Sequence, residues 1–473
     1  MKNRWLLSAA VLFSAVCANP ASALERGPQY HYDKGVELYE RQQYGSALAE
    51  FKKALGAMSV DDAGYRMRAR YYAALCAAER QQTGAREMLE RFVEDYPNSI
   101  YLNDVHFALG TIMEKEGDYQ RAYEHLLTVN PHELPYSRIG EYYYRTGHAA
   151  YQNGDEDKAY SYFQNCTTDP AYAPHATYYK AYIDYTRGDL DAAKSGFASI
   201  AELPAYEPII PFYLLQIEFR QGNYAYVVEH GVPLLNKATG AREIEIARIL
   251  SEAYFRQGQY ADALAQIENY EKLGGEMGPE ELYLAGYSNY NQLYYTKAST
   301  QLTDVASGGG ELGQNAAFHL GDCYLKLGDK QKALRAFVLA SASDYSPEIK
   351  REAMLNAGKL QYELGGGAFN EAITTLAGYV QAYPDSPRID EARELLLAAY
   401  FNSRNYEAAY EAIKQVRDPD NNVKAAMQKI AYFRALEQFQ KEEYPEALRM
   451  FDVADANPVS YTHLRAHETR RHL

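Results

Sequence analysis

The chain has 473 residues, 47% apolar and 23% charged, which excludes a mainly disordered or collagen-like polymer and leaves several compact domains or one extended array. Lys and Arg number 48 against 63 Asp and Glu, and the net charge of −15 argues against nucleic acid or an anionic membrane surface as the main ligand. Four cysteines are too few for a disulfide framework in a chain this long, and 46 tyrosines beside 16 Phe and one Trp suit helix faces that are packed yet partly wet.

Residues 1–23 read as a secretory signal: Lys2 and Arg4 form a basic head, Trp5 to Val16 an apolar run, and Ala21-Ser22-Ala23 a small-residue cleavage site. Cleavage would leave Leu24 first and export the protein, to the periplasm or in association with the outer membrane. A lipid anchor at Cys17 is not expected, because Val16 stands where a small residue is wanted. No later stretch approaches ~20 uninterrupted apolar residues, so the mature chain is expected to lack a transmembrane segment.

Residues 24–457 repeat one pattern. Its clearest copy runs from Ala317 to Ala340, with Leu320-Gly321, Tyr324, Ala333, Phe337 and Ala340 at fixed offsets. The frame returns as Gly35, Ala47, Phe51 and Ala54, as Gly110, Ala122 and Leu126, and as Gly147, Ala159 and Phe163. Further copies hold Tyr254, Ala263 and Ile267, and then Gly286, Ala298 and Leu302. The small residue expected to open each second helix falls at Ala47, Ala85, Ala122, Ala159, Ala193, Val227, Ala263, Ala298, Ala333, Ala372, Ala409 and Ala447, in steps of 34 to 39 residues. Helical spacing of apolar residues, then a turn, then a second helix describes every unit. The turns are marked by Gly117-Asp118, Gly154-Asp155, Gly188-Asp189, Gly222-Asn223, Gly258-Gln259 and Gly328-Asp329. Small residues let the helices approach, and Phe51, Phe163, Phe197, Phe337 and Phe451 are expected to fill the space between one hairpin and the next.

This frame resembles the tetratricopeptide repeat, whose period is about 34 residues. The resemblance covers roughly residues 30–456 and implies an all-α fold, a right-handed superhelical solenoid of about twelve helix-turn-helix units. Two stretches are expected to loosen or bend the array: 200–240, where Val227 replaces the small residue and Pro233 sits in the second helix, and 360–370, with Gly365-Gly366-Gly367. The linker with Pro131 and Pro135 and the segment Pro170-Ala171-Tyr172-Ala173-Pro174 read as stiff connections. Phe92 to Ser99 and Tyr379 to Ser386 share a Tyr-Pro-x-Ser ending similar to the repeats of periplasmic outer-membrane assembly lipoproteins and of the periplasmic coordinator of the Tol-Pal system. Residues 458–473, with three Arg and three His against one Glu, resemble a translated sequencing adapter and are set aside as non-native.

Signals for chemistry are sparse. Gly308-Gly309-Gly310-Glu311-Leu312-Gly313 fits GxGxxG, but it is expected in a linker between helical units, without the strand that a dinucleotide site needs. GxxxxGK[ST], HExxH, GxSxG and CxxC do not occur. His106, His125, His148, His175, His230 and His319 show no ligand spacing, and Cys76, Cys166 and Cys323 fall on separate helix-packing positions. Neither a catalytic centre, a cofactor nor a metal is expected.

The resemblance implies that the first helix of each hairpin lines a groove for a protein or peptide. Mapped onto this chain, that groove holds Tyr144, His148 and Tyr151, then Tyr178, Tyr182 and Tyr185, then Phe212 and Phe219, and later Tyr283, Tyr287 and Tyr290. Spacings of three or four residues put each set on one side of its helix. Glu245, Glu252, Glu280, Asp322 and Glu391 fall at similar positions and favour a basic or mixed-charge partner over an acidic one. The expected function is a non-catalytic periplasmic scaffold or adaptor that binds protein or peptide partners through this Tyr-rich groove in cell-envelope assembly. Two rivals stand beside it: the docking or sensory part of an enzyme whose catalytic domain follows residue 457, and a glycan-binding envelope subunit that stacks its tyrosines on sugar rings.

Overall fold

A computed structural model describes residues 27–456 apart from 168, 366–367 and 415–420. The expected signal and the adapter-like tail lie outside the described residues. The contacts divide the chain into two compact units, Met1–Ile217 and Glu218–Leu473.

In the first unit, α1 (Pro28–Glu40) packs on α2 (Tyr44–Ala57), α3 (Ala63–Glu79) on α4 (Ala85–Asp95), and α5 (Leu102–Glu116) on α6 (Tyr119–Leu127). Next, α7 (Tyr136–Gln152) packs on α8 (Glu156–Asn165) and α9 (Ala173–Arg187) on α10 (Leu190–Ile200), and α11 (Ile210–Arg220) carries the boundary between the units.

The second unit continues with α12 (Tyr224–Leu235), then the pairs α13 (Ala241–Arg256) with α14 (Tyr260–Lys272) and α15 (Pro279–Asn291) with α16 (Tyr295–Ser307). After them come α17 (Gly310–Lys326) with α18 (Lys330–Ser341) and α19 (Pro347–Leu364) with α20 (Ala368–Ala382). The last pairs are α21 (Ile389–Asn402) with α22 (Tyr406–Lys414) and α23 (Asn421–Gln440) with α24 (Tyr444–Ala456). Among the described residues the regular elements are these 24 α-helices and two short 3₁₀ turns, so the fold is all-α.

Each of the twelve small residues of the sequence frame lies inside an even-numbered helix and is at most 4% exposed. Three helix turns suffice to show the pattern: α4 buries Ala85, Leu89 and Phe92, at spacings of four and three, while Glu87 faces solvent. Four residues after the small residue comes a large one, except in α12, where Gly231 stands, and Phe51, Phe163 and Phe197 each have two partners. Phe163 fits against Gly147 of its own hairpin, where an added Cβ would lie 2.9 Å from the ring, and stacks on Tyr179 of the next hairpin at 5.4 Å and 11°. Phe51 meets Gly35 and Tyr72, and Phe197 meets Ala181 and Tyr213, in the same way. These side chains therefore seal their own hairpin as well as the joint to the next. Full burial of each is worth roughly 1.5–3 kcal/mol.

Gly117, Gly154, Gly188, Gly222, Gly258 and Gly328 all take φ between 77° and 84° except Gly258 at 73°, the left-handed turn that ends a first helix. Asp155, Asp189 and Asp329 then accept the N–H of Lys158, Ala192 and Lys332 at 3.0–3.2 Å, capping the second helix. Gln42, Gln81, Leu293, Arg404 and Glu442 make the same turn without glycine.

GxGxxG is not a linker: Gly308 and Gly309 alone separate α16 from α17, and Gly310 and Gly313 belong to α17, with Gly313 buried. Pro131–Glu133 forms one of the 3₁₀ turns, Pro135 caps α7, and Pro174 enters the first turn of α9. Both Tyr-Pro-x-Ser endings fold alike. Ser99 and Ser386 donate their N–H to Tyr96 and Tyr383 carbonyls at 3.0 and 3.1 Å, and their Oγ atoms accept from the N–H of Tyr101 and Arg388.

Within each unit the odd-numbered helices also touch side by side: α1 to α3, α5, α7 and α9 in turn, and α13 to α15, α17, α19, α21 and α23. Nine of the expected groove residues lie on α7, α9 and α15 of these layers, and Phe212 and Phe219 lie on α11.

Candidate functional site

All eleven expected groove side chains are half-buried. Seven belong to the first unit and four, Phe219, Tyr283, Tyr287 and Tyr290, to the second.

In the first unit the rings gather around two core phenylalanines. Tyr144 lies 6.2 Å from Phe163 and 5.5 Å from Tyr172, and Tyr151 meets Tyr179 at 5.2 Å. Tyr178 lies beside Phe197 and Tyr206, and Tyr182 and Tyr185 both meet Tyr213 edge-on. Tyr185 Oη donates to Gln216 Oε1 at 3.2 Å, and Phe212 lies 6.0 Å from Tyr213. His148 is held elsewhere: its Nδ1 is 2.5 Å from Glu114 Oε1, while Arg145 reaches Glu114 Oε2 at 2.5 Å and Glu141 Oε1 at 2.8 Å. Burial pulls the Glu114 carboxyl upward, but His148 and Arg145 hold it below its ordinary range. Tyr179 and Tyr213, which join these sets, each lie one residue beyond a position mapped from the sequence, Tyr178 and Phe212, and each stands 16 residues after its phenylalanine, Phe163 or Phe197.

The second unit keeps a recess open. A groove of about 890 Å³ lies across α13, α15 and α17, the first helices of three successive hairpins. From α13 come Arg248, Ser251, Glu252, Phe255 and Arg256, with Tyr260 at the start of α14. Glu280, Glu281, Tyr283, Leu284 and Tyr287 come from α15, and Glu311, Leu312, Asn315 and His319 from α17. Tyr283 and Tyr287 stack at 5.8 Å, and Tyr287 also meets Phe255 and Tyr260 edge-on. Burial raises the Tyr283 hydroxyl well above its ordinary value. Tyr290 lies just beyond, its ring 5.2 Å from His319 and its Oη donating to Asp322 Oδ2 at 3.3 Å; burial first and Asp322 second push it up to about 12. Phe219 is not among the groove residues and lies under the guanidinium of Arg248 at 6.0 Å.

His319, weighed in the sequence only as a metal ligand without partners at ligand spacing, is a wall residue of the groove. Its Nδ1 is buried without a hydrogen-bond partner, and burial pushes its pKa down to about 4, so the imidazole is neutral near neutral pH. Arg248 is fixed by Glu245 through two bonds of 2.8 and 2.9 Å, and Arg256 by Glu252 at 3.1 Å. Of the carboxylates singled out in the sequence, Glu252 and Glu280 line the groove, Asp322 takes the Tyr290 hydroxyl, and Glu391 pairs with Lys359 and Arg388.

The other histidines have local partners. His106 and His125, on the two helices of one hairpin, meet with Nδ1 atoms 2.9 Å apart, and His175 Nδ1 is 2.6 Å from Tyr206 Oη. His230 stacks on Tyr226 at 3.9 Å. Among the described residues no three His, Cys, Asp or Glu side chains are placed to hold a metal ion, and no helix is long and apolar enough to cross a membrane. Cys76, Cys166 and Cys323 are free and buried, and burial pushes their thiols up to about 12, 11 and 12.

One tetratricopeptide-repeat family model matches residues 68–99, 315–337 and 352–386, and a second matches 140–168. The chain carries tetratricopeptide repeats. Two of the matched ranges end on the Tyr-Pro-x-Ser turns, and one contains Gly147 and Phe163 with their shared packing. Solved structures similar to the chain include the tetratricopeptide-repeat domain of P58(IPK), at 15% identity over 71% of this chain and 98% of that one, with a TM-score of 0.27. The Cut9–Hcn1 hetero-tetramer of APC/C matches at 13% identity over 95% and 96%, with a TM-score of 0.27. A tetratricopeptide repeat protein from Parabacteroides merdae matches at 17% over 54% and 97%, with a TM-score of 0.32. No curated protein matches the chain. Tetratricopeptide repeats are protein-interaction scaffolds that offer the stacked hairpins as an extended binding surface.

Proposed function

We propose that the protein is a non-catalytic docking scaffold that holds a polypeptide segment in the groove of α13, α15 and α17. The observation that supports this reading is the open recess of about 890 Å³ between Tyr283 and Tyr287 on one side and Arg248 and His319 on the others. Rigid aromatic rings supply contact area at low entropic cost, while Ser251, Asn315 and the charged rim supply polar partners for a peptide backbone. The leader-like residues 1–23 and the Tyr-Pro-x-Ser endings favour an exported protein of the cell envelope, and the N-terminal residue of the purified mature protein tests the export.

Selection from a displayed library of random 12-residue peptides on the full chain tests the docking reading. Recovered peptides are expected to lose about tenfold or more in affinity for Tyr287→Ala, measured well below the melting temperature of that variant. Peptides that bind both proteins equally would remove the groove from the account.

A further inference from the structure

We infer that the segment this groove takes is basic, with lysine or arginine side chains set against Glu280, Glu281 and Glu311. The inference rests on the docking reading above and adds the charge of the partner to it.

The walls hold four carboxylates and two guanidinium groups, but these are not equally available. Both arginines are already engaged, Arg248 by Glu245 and Arg256 by Glu252. Glu280, Glu281 and Glu311 have no ion-pair partner among the described residues, and Glu280 and Glu311 are exposed. All three stand in the first turns of α15 and α17, so the two neighbouring helices bring their negative side chains to one end of the recess. Acidic residues in a first helical turn stabilise their own helix. That role explains each residue singly, yet it does not require both helices to open onto a shared aromatic-walled recess.

The aromatic wall fits the same ligand. The stacked rings of Tyr283 and Tyr287 line the groove, and a lysine or arginine laid against them would bury its methylene stem and set its charge beside the rings. The protein already uses this contact, with Lys332 5.3 Å from the Tyr324 ring centre. An acidic segment would meet three unpaired carboxylates and find each arginine occupied.

The test uses three fluorescent 12-residue peptides on one Leu-Ala-Ser frame, made lysine-rich, glutamate-rich or uncharged, titrated against the full chain. The lysine-rich peptide is expected to bind at least tenfold tighter than the other two, and to weaken as salt rises. Its affinity should fall about tenfold in the double variant Glu280→Gln/Glu311→Gln and stay unchanged in Glu87→Gln/Glu94→Gln, which removes the same charge from α4 in the other unit. Equal loss in both double variants would show non-specific attraction to an acidic protein and overturn the inference. A peptide that loses affinity with Tyr287→Ala but shows no preference for lysine would overturn the charge inference and leave the docking reading standing. Binding of none of the three, or binding indifferent to Tyr287→Ala, would overturn both.

Discussion

The rings of Tyr287 on α15 and His319 on α17 meet edge to face at 4.7 Å, so two successive hairpins are joined through a neutral imidazole. Burial holds the His319 pKa at about 4, against an ordinary value of 6.5. Between these values the unfolded chain binds a proton that the folded chain refuses, so acidification favours unfolding. This contribution is fully present above pH 6.5 and is lost as the pH falls towards 4, with an amplitude on the order of 3 kcal/mol. Urea denaturation across pH 4 to 7 should show that loss in the parent and a flatter profile in His319→Leu. Parallel profiles would mean that folding does not lower the affinity of the imidazole for its proton.

Gly147 and Phe163 illustrate how closely the two helices of a hairpin approach. A Cβ at 147 would fall 2.9 Å from the ring and 3.1 Å from the Tyr162 Cβ, and Tyr179 blocks retreat on the other side. Gly147→Ala is expected to cost about 1–3 kcal/mol in spite of alanine's better helix propensity. Adding Phe163→Leu should cost less than the sum of the two single changes, a coupling that a double-mutant cycle measures directly.

Leu293 turns the chain between α15 and α16 at φ 64° while 68% exposed. A left-handed conformation costs a branched or bulky residue about 1–2 kcal/mol, and little burial is lost by trimming this side chain. Leu293→Gly is therefore expected to stabilise the second unit by about 0.5–1 kcal/mol after the added freedom of the unfolded chain is counted. A lowered melting temperature would show that the leucine side chain contributes more than its exposure suggests.

Much of the fold was legible because its determinants are local. A small residue where two helices cross, a bulky one four positions later, and a glycine where the backbone turns left can each be read from one chain segment. The turns at Gln42, Gln81, Leu293, Arg404 and Glu442 carry no such mark, and there the packing of the hairpin imposes the conformation on an ordinary residue. His106 and His125 could not be paired in advance, since their meeting depends on the rotational setting of α5 against α6. The groove was legible only in part for a related reason. Tyr178, Tyr182 and Tyr185 have the same spacing as Tyr283, Tyr287 and Tyr290, yet Tyr206 and Tyr213 lie against the first set. Around the second set stand Arg248, Ser251 and Asn315, which leave space uncovered. What separates packing from lining is the size and polarity of residues on neighbouring helices, information that no single helix contains.

The three buried thiols give the array a built-in means of watching itself. Cys76, Cys166 and Cys323 sit in different hairpins, and with thiols raised to about 11 or 12 almost none is ionised at neutral pH. Each can react with an alkylating reagent only when its own hairpin opens, so the labelling rate at each cysteine reads the breathing of one stretch of the solenoid separately from the others.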